Sequence, residues 1–133
     1  MGYYTRIETK QLRIKEEFVN KVKQDIKICK ENSADYLSSN MNEHPNFTVL
    51  REKIGISGDY VFWHIESMII NNDNSIYWDD EFKFYGETEL LNYLKYKVTE
   101  GDLLCFGEDG TQWGFRFDGK GNMIKLKSSW VEE

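Results

Sequence analysis

Hydrophobic and polar residues alternate at the start of the chain. In GYYTRIETKQLRI, Tyr3, Thr5 and Ile7 take one side and Tyr4, Arg6 and Glu8 the other, and Leu12 and Ile14 resume the pattern, which predicts a hairpin turning near Thr9 to Gln11. From Lys15 to about Glu31 the period lengthens. Phe18, Val22, Ile26 and Cys29 fall on one side of a predicted helix, and Glu16 and Glu17 occupy its first turn, where the helix dipole favours acids. The other side carries Lys23, Lys27 and Lys30, a strip that is either a solvated face or a phosphate-contacting one. Residues 32–46 are polar, rich in Asn and Ser, and read as a loop too short to separate domains. Asn46 is placed to cap a short helix from Phe47 to Ile54, with Gly55 just past its end.

DYVFWHIESMII, Asp59 to Ile70, is too densely apolar for periodicity to separate a strand from a buried helix. The turn chemistry of NNDNS after it and the returning SIYW favour a strand and a hairpin. A second helix is predicted from Glu87 to Val98. Its stripe is Leu90, Leu91, Leu94 and Val98, with Glu87 and Glu89 at the start, Lys95 and Lys97 at the end, and Gly101 as a stop. Beyond Asp102 the period is two. Asp109-Gly110 signals a type I′ hairpin, which sets Phe106 opposite Trp113 and Leu104 opposite Phe115, so that Leu104, Phe106, Trp113, Phe115 and Phe117 share a core face. A turn at Asp118 to Asn122 then leads to a last strand, MIKLKSSW.

These elements predict an α+β fold: an antiparallel sheet of about six or seven strands with the helices of residues 15–31 and 87–98 on one face. A chain of 133 residues with 40% hydrophobic and 15% aromatic residues fits one globular domain, residues 1–133. No apolar run reaches the roughly 18 residues of a membrane span, and MGYYTRIETK lacks the order of a signal peptide. Position 6 is Arg6, where N-myristoylation wants Ser or Thr. The expected location is cytoplasmic. Cys29 and Cys105 lack a CxxC spacing and read as free buried thiols.

The net charge of −6 conceals an asymmetry. Residues 1–30 hold eight Lys or Arg against four Asp or Glu, and the remainder holds nine against nineteen. Phosphate backbones repel such an acidic body, so direct nucleic-acid binding is disfavoured and a basic partner is favoured.

Few residues carry recognisable chemistry. His44 and His64 stand twenty apart without a zinc motif, so no metal site is assigned. NNDNS fails the EF-hand pattern, because the sixth and twelfth positions from Asn71 hold Ile76 and Phe82. GKGNM lacks phosphate-loop spacing and no GxSxG occurs around Ser57, so no cofactor or serine nucleophile is expected. Carboxylates remain: Asp79, Asp80 and Glu81 in WDDEF, Glu87 and Glu89, and Glu108 and Asp109 in GEDG. Eleven acids against four bases over Asp73 to Asp118 favour a partner-binding patch over catalysis, with plain solvation as the other reading. Arg6 and Arg116, on predicted strands, are expected to make structural ion pairs, with Glu108 or Asp80 as candidate partners.

The opening MGYYTRI, the segment WDDEFKFY with Lys83 and Tyr85, and the GED hairpin followed by Trp113 resemble a family of small uncharacterised proteins of actinobacteria and phages. The resemblance covers about a third of the chain and departs over residues 15–58. It implies a bacterial or phage setting, and hence the cytoplasm of a bacterial host. Residues and resemblance together point to a small acidic, non-enzymatic phage-type protein that inhibits a protein partner, a nucleic-acid-processing defence effector being the favoured class. The alternatives are an immunity protein or antitoxin and a small carboxylate-dependent enzyme.

Overall fold

The computed structural model describes residues 4–32, 45–56, 60–79, 81–127 and 131–132. The opening alternation becomes one strand, β1 (Tyr4–Lys10), which pairs along β5 (Glu100–Gly107) from Thr5 opposite Gly107 to Lys10 opposite Asp102. The expected hairpin at Thr9 to Gln11 does not form. Gln11, at φ 60°, ends the strand, and Arg13 and Ile14 bridge instead to Ser75 and Val98. A distant strand with a full-length ladder outcompetes the local turn. Gly101, expected as a helix stop, is a strand residue that permits this crossing: a Cβ there would lie 2.8 Å from the Gln11 backbone.

A 3-10 turn (Glu16–Phe18) leads into α1 (Val19–Glu31), whose Val22, Ile26 and Cys29 are buried as the periodicity requires. α2 spans Pro45–Ile54, so Asn46 lies inside the helix and does not cap it; Pro, which needs no N–H partner, stands at the first position. At its other end Gly55 has φ 86° and donates to the Arg51 carbonyl at 2.8 Å, the expected glycine stop. The run expected as a strand from Asp59 is instead a short helix, α3 (Val61–Glu66), followed by β2 (Ile69–Ile70). Val61, Phe62, His64 and Ile65 are all buried, and a helix buried on nearly every side shows no amphipathic period to betray it. NNDNS forms the expected turn, with Asn74 at φ 70°, and β3 (Ile76–Tyr77) returns along β2.

β4 (Phe82–Lys83) adds to the outer edge of β1. α4 (Glu87–Leu94) ends before the expected Val98, because Lys97 accepts from the Lys15 amide and Thr99 donates to the Arg13 carbonyl, pulling residues 97–99 out of the helix. β6 (Gln112–Asp118), β7 (Met123–Lys127) and β8 (Val131–Glu132) complete an antiparallel sheet in the order β4-β1-β5-β6-β7-β8. The fold is α+β. Ile7, Leu103, Cys105, Phe115 and Phe117 on one sheet face share a core with Val22, Ile26 and Cys29 of α1 and Leu90, Leu91 and Leu94 of α4. The continuation of the last strand over residues 128–130, and most of the loop expected at 32–46, lie outside the described residues.

The β5–β6 register differs by one residue from the expected one. Cys105 faces Trp113, Leu103 faces Phe115, and Phe106 faces Gln112. The turn holds three residues, Glu108 to Gly110: Gly107 pairs with Thr111, and Gly110 at φ 87° takes the left-handed position of a bulged type I turn. A one-residue slip exchanges faces, so Leu104 and Phe106 stand on the sheet face away from the helices, while Leu103 and Cys105 join the core.

Candidate functional site

The aromatic residues of WDDEFKFY do not all enter the core. Phe82 on β4 and Tyr85 beyond it close against Tyr4 at the start of β1 and Trp63 and His64 on α3, leaving a pocket of about 260 Å³. Ser67, Glu81 and Lys83 complete its wall. Around it the rings brace one another: Tyr60 meets Trp63 at 5.6 Å and Tyr85 at 5.2 Å between centroids, and His64 lies 5.0 Å from Phe82 and 4.9 Å from Phe84. Tilted and edge-on arrangements of this kind fix ring orientation.

His64 is the most unusual group in this wall. It is 1% exposed, its Nε2 accepts the Gly86 amide N–H at 3.0 Å, and Nδ1 has no partner among the described residues. An Nε2 that accepts leaves the proton on Nδ1, so the ring is neutral. Burial pushes its pKa down from 6.5 to about 4. The contact is close: a Cβ on Gly86 would sit 2.9 Å from His64 Cδ2 and 2.8 Å from the Val61 amide. Of the two histidines, His44 lies outside the described residues; His64 is buried and half satisfied, on a helix rather than the expected strand.

The sequence-derived acids are distributed unevenly around this pocket. Glu81 lines it, and Asp79 and Glu81 together line two adjoining hollows, one shared with Tyr4 and Arg6, the other with Lys30, Glu66 and Trp78. Glu108, at the hairpin tip, accepts the Tyr4 amide N–H at 3.1 Å and so lies on the same side. Glu87 is committed elsewhere, accepting from Trp113 Nε1 at 2.8 Å, and Asp109 accepts the Thr111 amide inside its turn. Glu89 is half-exposed on α4, and Asp80 lies outside the described residues.

The bases take places of their own. Arg6 pairs with Glu8 and stacks over Phe106, its carbon 4.4 Å from the ring centroid, while Arg116 makes a two-point contact with Asp102 at 2.9 and 3.2 Å; neither pairing is with Glu108. Asp102 sits directly across the ladder from Arg116, which makes this a cross-strand pair. Lys23, Lys27 and Lys30 are exposed along α1, and Lys27 lies 3.9 Å from Glu31. Lys30 reaches the hollow of Asp79 and Glu81, so the basic helix and the acids share one region of the surface.

A second polar cluster escaped the sequence reading. Asp25 of α1, 3% exposed, accepts from Tyr93 Oη and from Lys21 Nζ, and Lys21 also donates to the Ile54 carbonyl at 2.9 Å. Burial, with Asp25 beside it, raises the Tyr93 hydroxyl well above its ordinary range, and burial lowers Lys97, whose ammonium lies 4.2 Å from the Tyr93 ring centroid. The signal was present: Asp25 falls on the apolar side of α1 between Val22 and Ile26, where a charge requires a partner. Comparison of the chain with protein-family models, curated proteins and solved structures finds no match. No helix among the described residues is long and apolar enough to cross a membrane.

Proposed function

We propose that the protein is a non-enzymatic binding protein that inhibits a protein partner with a basic surface. The carrying observation is that Asp79 and Glu81 open onto two hollows adjoining an aromatic pocket that Glu81 also lines, with Glu108 on the same side. A nucleic-acid-processing effector, such as one of bacterial defence, is the partner class that this charge fits, because carboxylates then take the positions that phosphates would otherwise fill against its basic residues. The groups most able to act as catalysts support the same reading. His64 has its Nε2 occupied by Gly86 and a pKa near 4, too low for an efficient general base at neutral pH, and burial raises the Cys105 thiol far above the range of a reactive thiolate.

The test is affinity capture from bacterial lysate at low and high salt with the tagged protein and with Asp79→Lys/Glu81→Lys. The wild type should retain a partner at low salt and release it at high salt, while the variant loses it with an unchanged melting temperature. Equal capture by the variant would sink the acidic-surface reading.

A further inference from the structure

The wall of the pocket is mostly aromatic, with one acid, Glu81, and one lysine, Lys83. Tyr4, Trp63, Phe82 and Tyr85 line it with aromatic rings, whose faces attract cations, and Glu81 adds a carboxylate that has no ion-pair partner among the described residues. We infer that the pocket receives one cationic side chain, an arginine or lysine of the protein partner, held against these rings and paired with Glu81. This inference deepens the binding reading above and rests on it.

The protein already demonstrates the interaction. Lys83 holds its ammonium 5.7 Å from the Tyr4 ring centroid, so a ring of this wall attracts a cation supplied by the chain itself. The volume, about 260 Å³, suits a single side chain better than a whole cofactor, whose pockets run from about 300 Å³ upward. Charge around the mouth leans the same way. Asp79, Glu81 and Glu108 stand on this side, with Glu66 in the neighbouring hollow, against Lys83 and Lys30, and Arg6 is already held by Glu8. The neutral His64 ring adds no positive charge to repel an incoming cation. His64 Nδ1 is also the buried side-chain nitrogen left unpartnered among the described residues, and departures of this kind from hydrogen-bond satisfaction gather at functional sites.

The experiment uses the full chain labelled with 5-fluorotryptophan, whose four tryptophans give separable fluorine resonances, that of Trp63 being identified by its loss in Trp63→Phe. The probes are the N-acetyl methylamides of arginine, lysine, norleucine and glutamate. Arginine and lysine probes should shift the Trp63 signal saturably, and the norleucine probe, of similar shape without charge, should bind about fivefold more weakly or worse. Glu81→Gln should weaken the cationic probes about as much, and Lys83→Gln, by removing the internal competitor, should strengthen them. Equal binding of norleucine, preference for glutamate, or no saturable shift at Trp63 would each overturn the assignment. Because no partner is present, this result is independent of the capture experiment. Loss of salt-sensitive capture on reversing Asp79 and Glu81, without cation binding at Trp63, would leave the acidic surface standing and remove the side-chain receptor.

Discussion

Protonating His64 would place a second N–H against the Gly86 amide and a charge between Phe82 and Phe84, so the folded state disfavours it. The folded pKa of about 4 lies below the ordinary 6.5, and the direction of that gap sets the sign. The contribution is complete above pH 6.5 and is lost as pH falls towards 4, amounting to about 3 kcal/mol. The urea midpoint of the wild type should therefore fall across this window, and in His64→Gln the fall should be much shallower. Asp73 and Asp118 do not confuse the measurement. Side-chain hydrogen bonds from Ser75 and Asn122 hold their carboxylates below 3.8, so their contribution is lost at lower pH. Gly86→Ala tests the same contact sterically. Its methyl would overlap the His64 ring and the Val61 amide, and a cost of about 1–3 kcal/mol is expected in the same denaturation assay.

Among the elements, the β5–β6 hairpin gives the cleanest prediction. Gly110 has φ 87° and nothing within 4 Å of where a Cβ would stand, so Gly110→Ala isolates the cost of a left-handed alanine, about 1 kcal/mol by thermal unfolding. If the substitution is neutral, the turn has another route than the bulged one. The same hairpin shows what a sequence conceals. Asp109-Gly110 announced a turn, but loop lengths of two and three residues share that signature, and only the ladder fixed by β1 and β6 selects three and sends Leu103 and Cys105 inward. Stripes such as Val22, Ile26, Cys29 and Leu90, Leu91, Leu94 were legible because each faces the core on one side alone. α3 was not, because it is buried nearly all round. The pocket was least legible of all, since Tyr4, Trp63, Phe82 and Tyr85 come from separate segments that nothing local brings together.

At the scale of the molecule, the helical layer that backs this pocket is tied together by one buried charge. α1 packs against α3, which carries Trp63 and His64, and Asp25 fastens α1 to Tyr93 of α4 while Lys21 reaches the carbonyl of Ile54 at the end of α2. Removing Asp25 leaves the Tyr93 hydroxyl buried and unmatched, which costs more than the bond itself contributes. Asp25→Ala strands the buried Tyr93 hydroxyl, while the solvent-accessible Lys21 keeps its bond to the Ile54 carbonyl, so a loss of about 2–3 kcal/mol is expected. Tyr93→Phe removes only the hydroxyl, leaves Asp25 paired with Lys21, and should cost about 1–2 kcal/mol. The double variant should then cost less than the sum of the two, because the Tyr93 to Asp25 bond is counted in both single changes. Urea denaturation of the four proteins measures the coupling. Strict additivity, or an Asp25→Ala cost below about 1 kcal/mol, would mean that packing of Val22, Ile26 and Leu90 alone holds the helices, and that Asp25 is not what positions the layer behind the pocket.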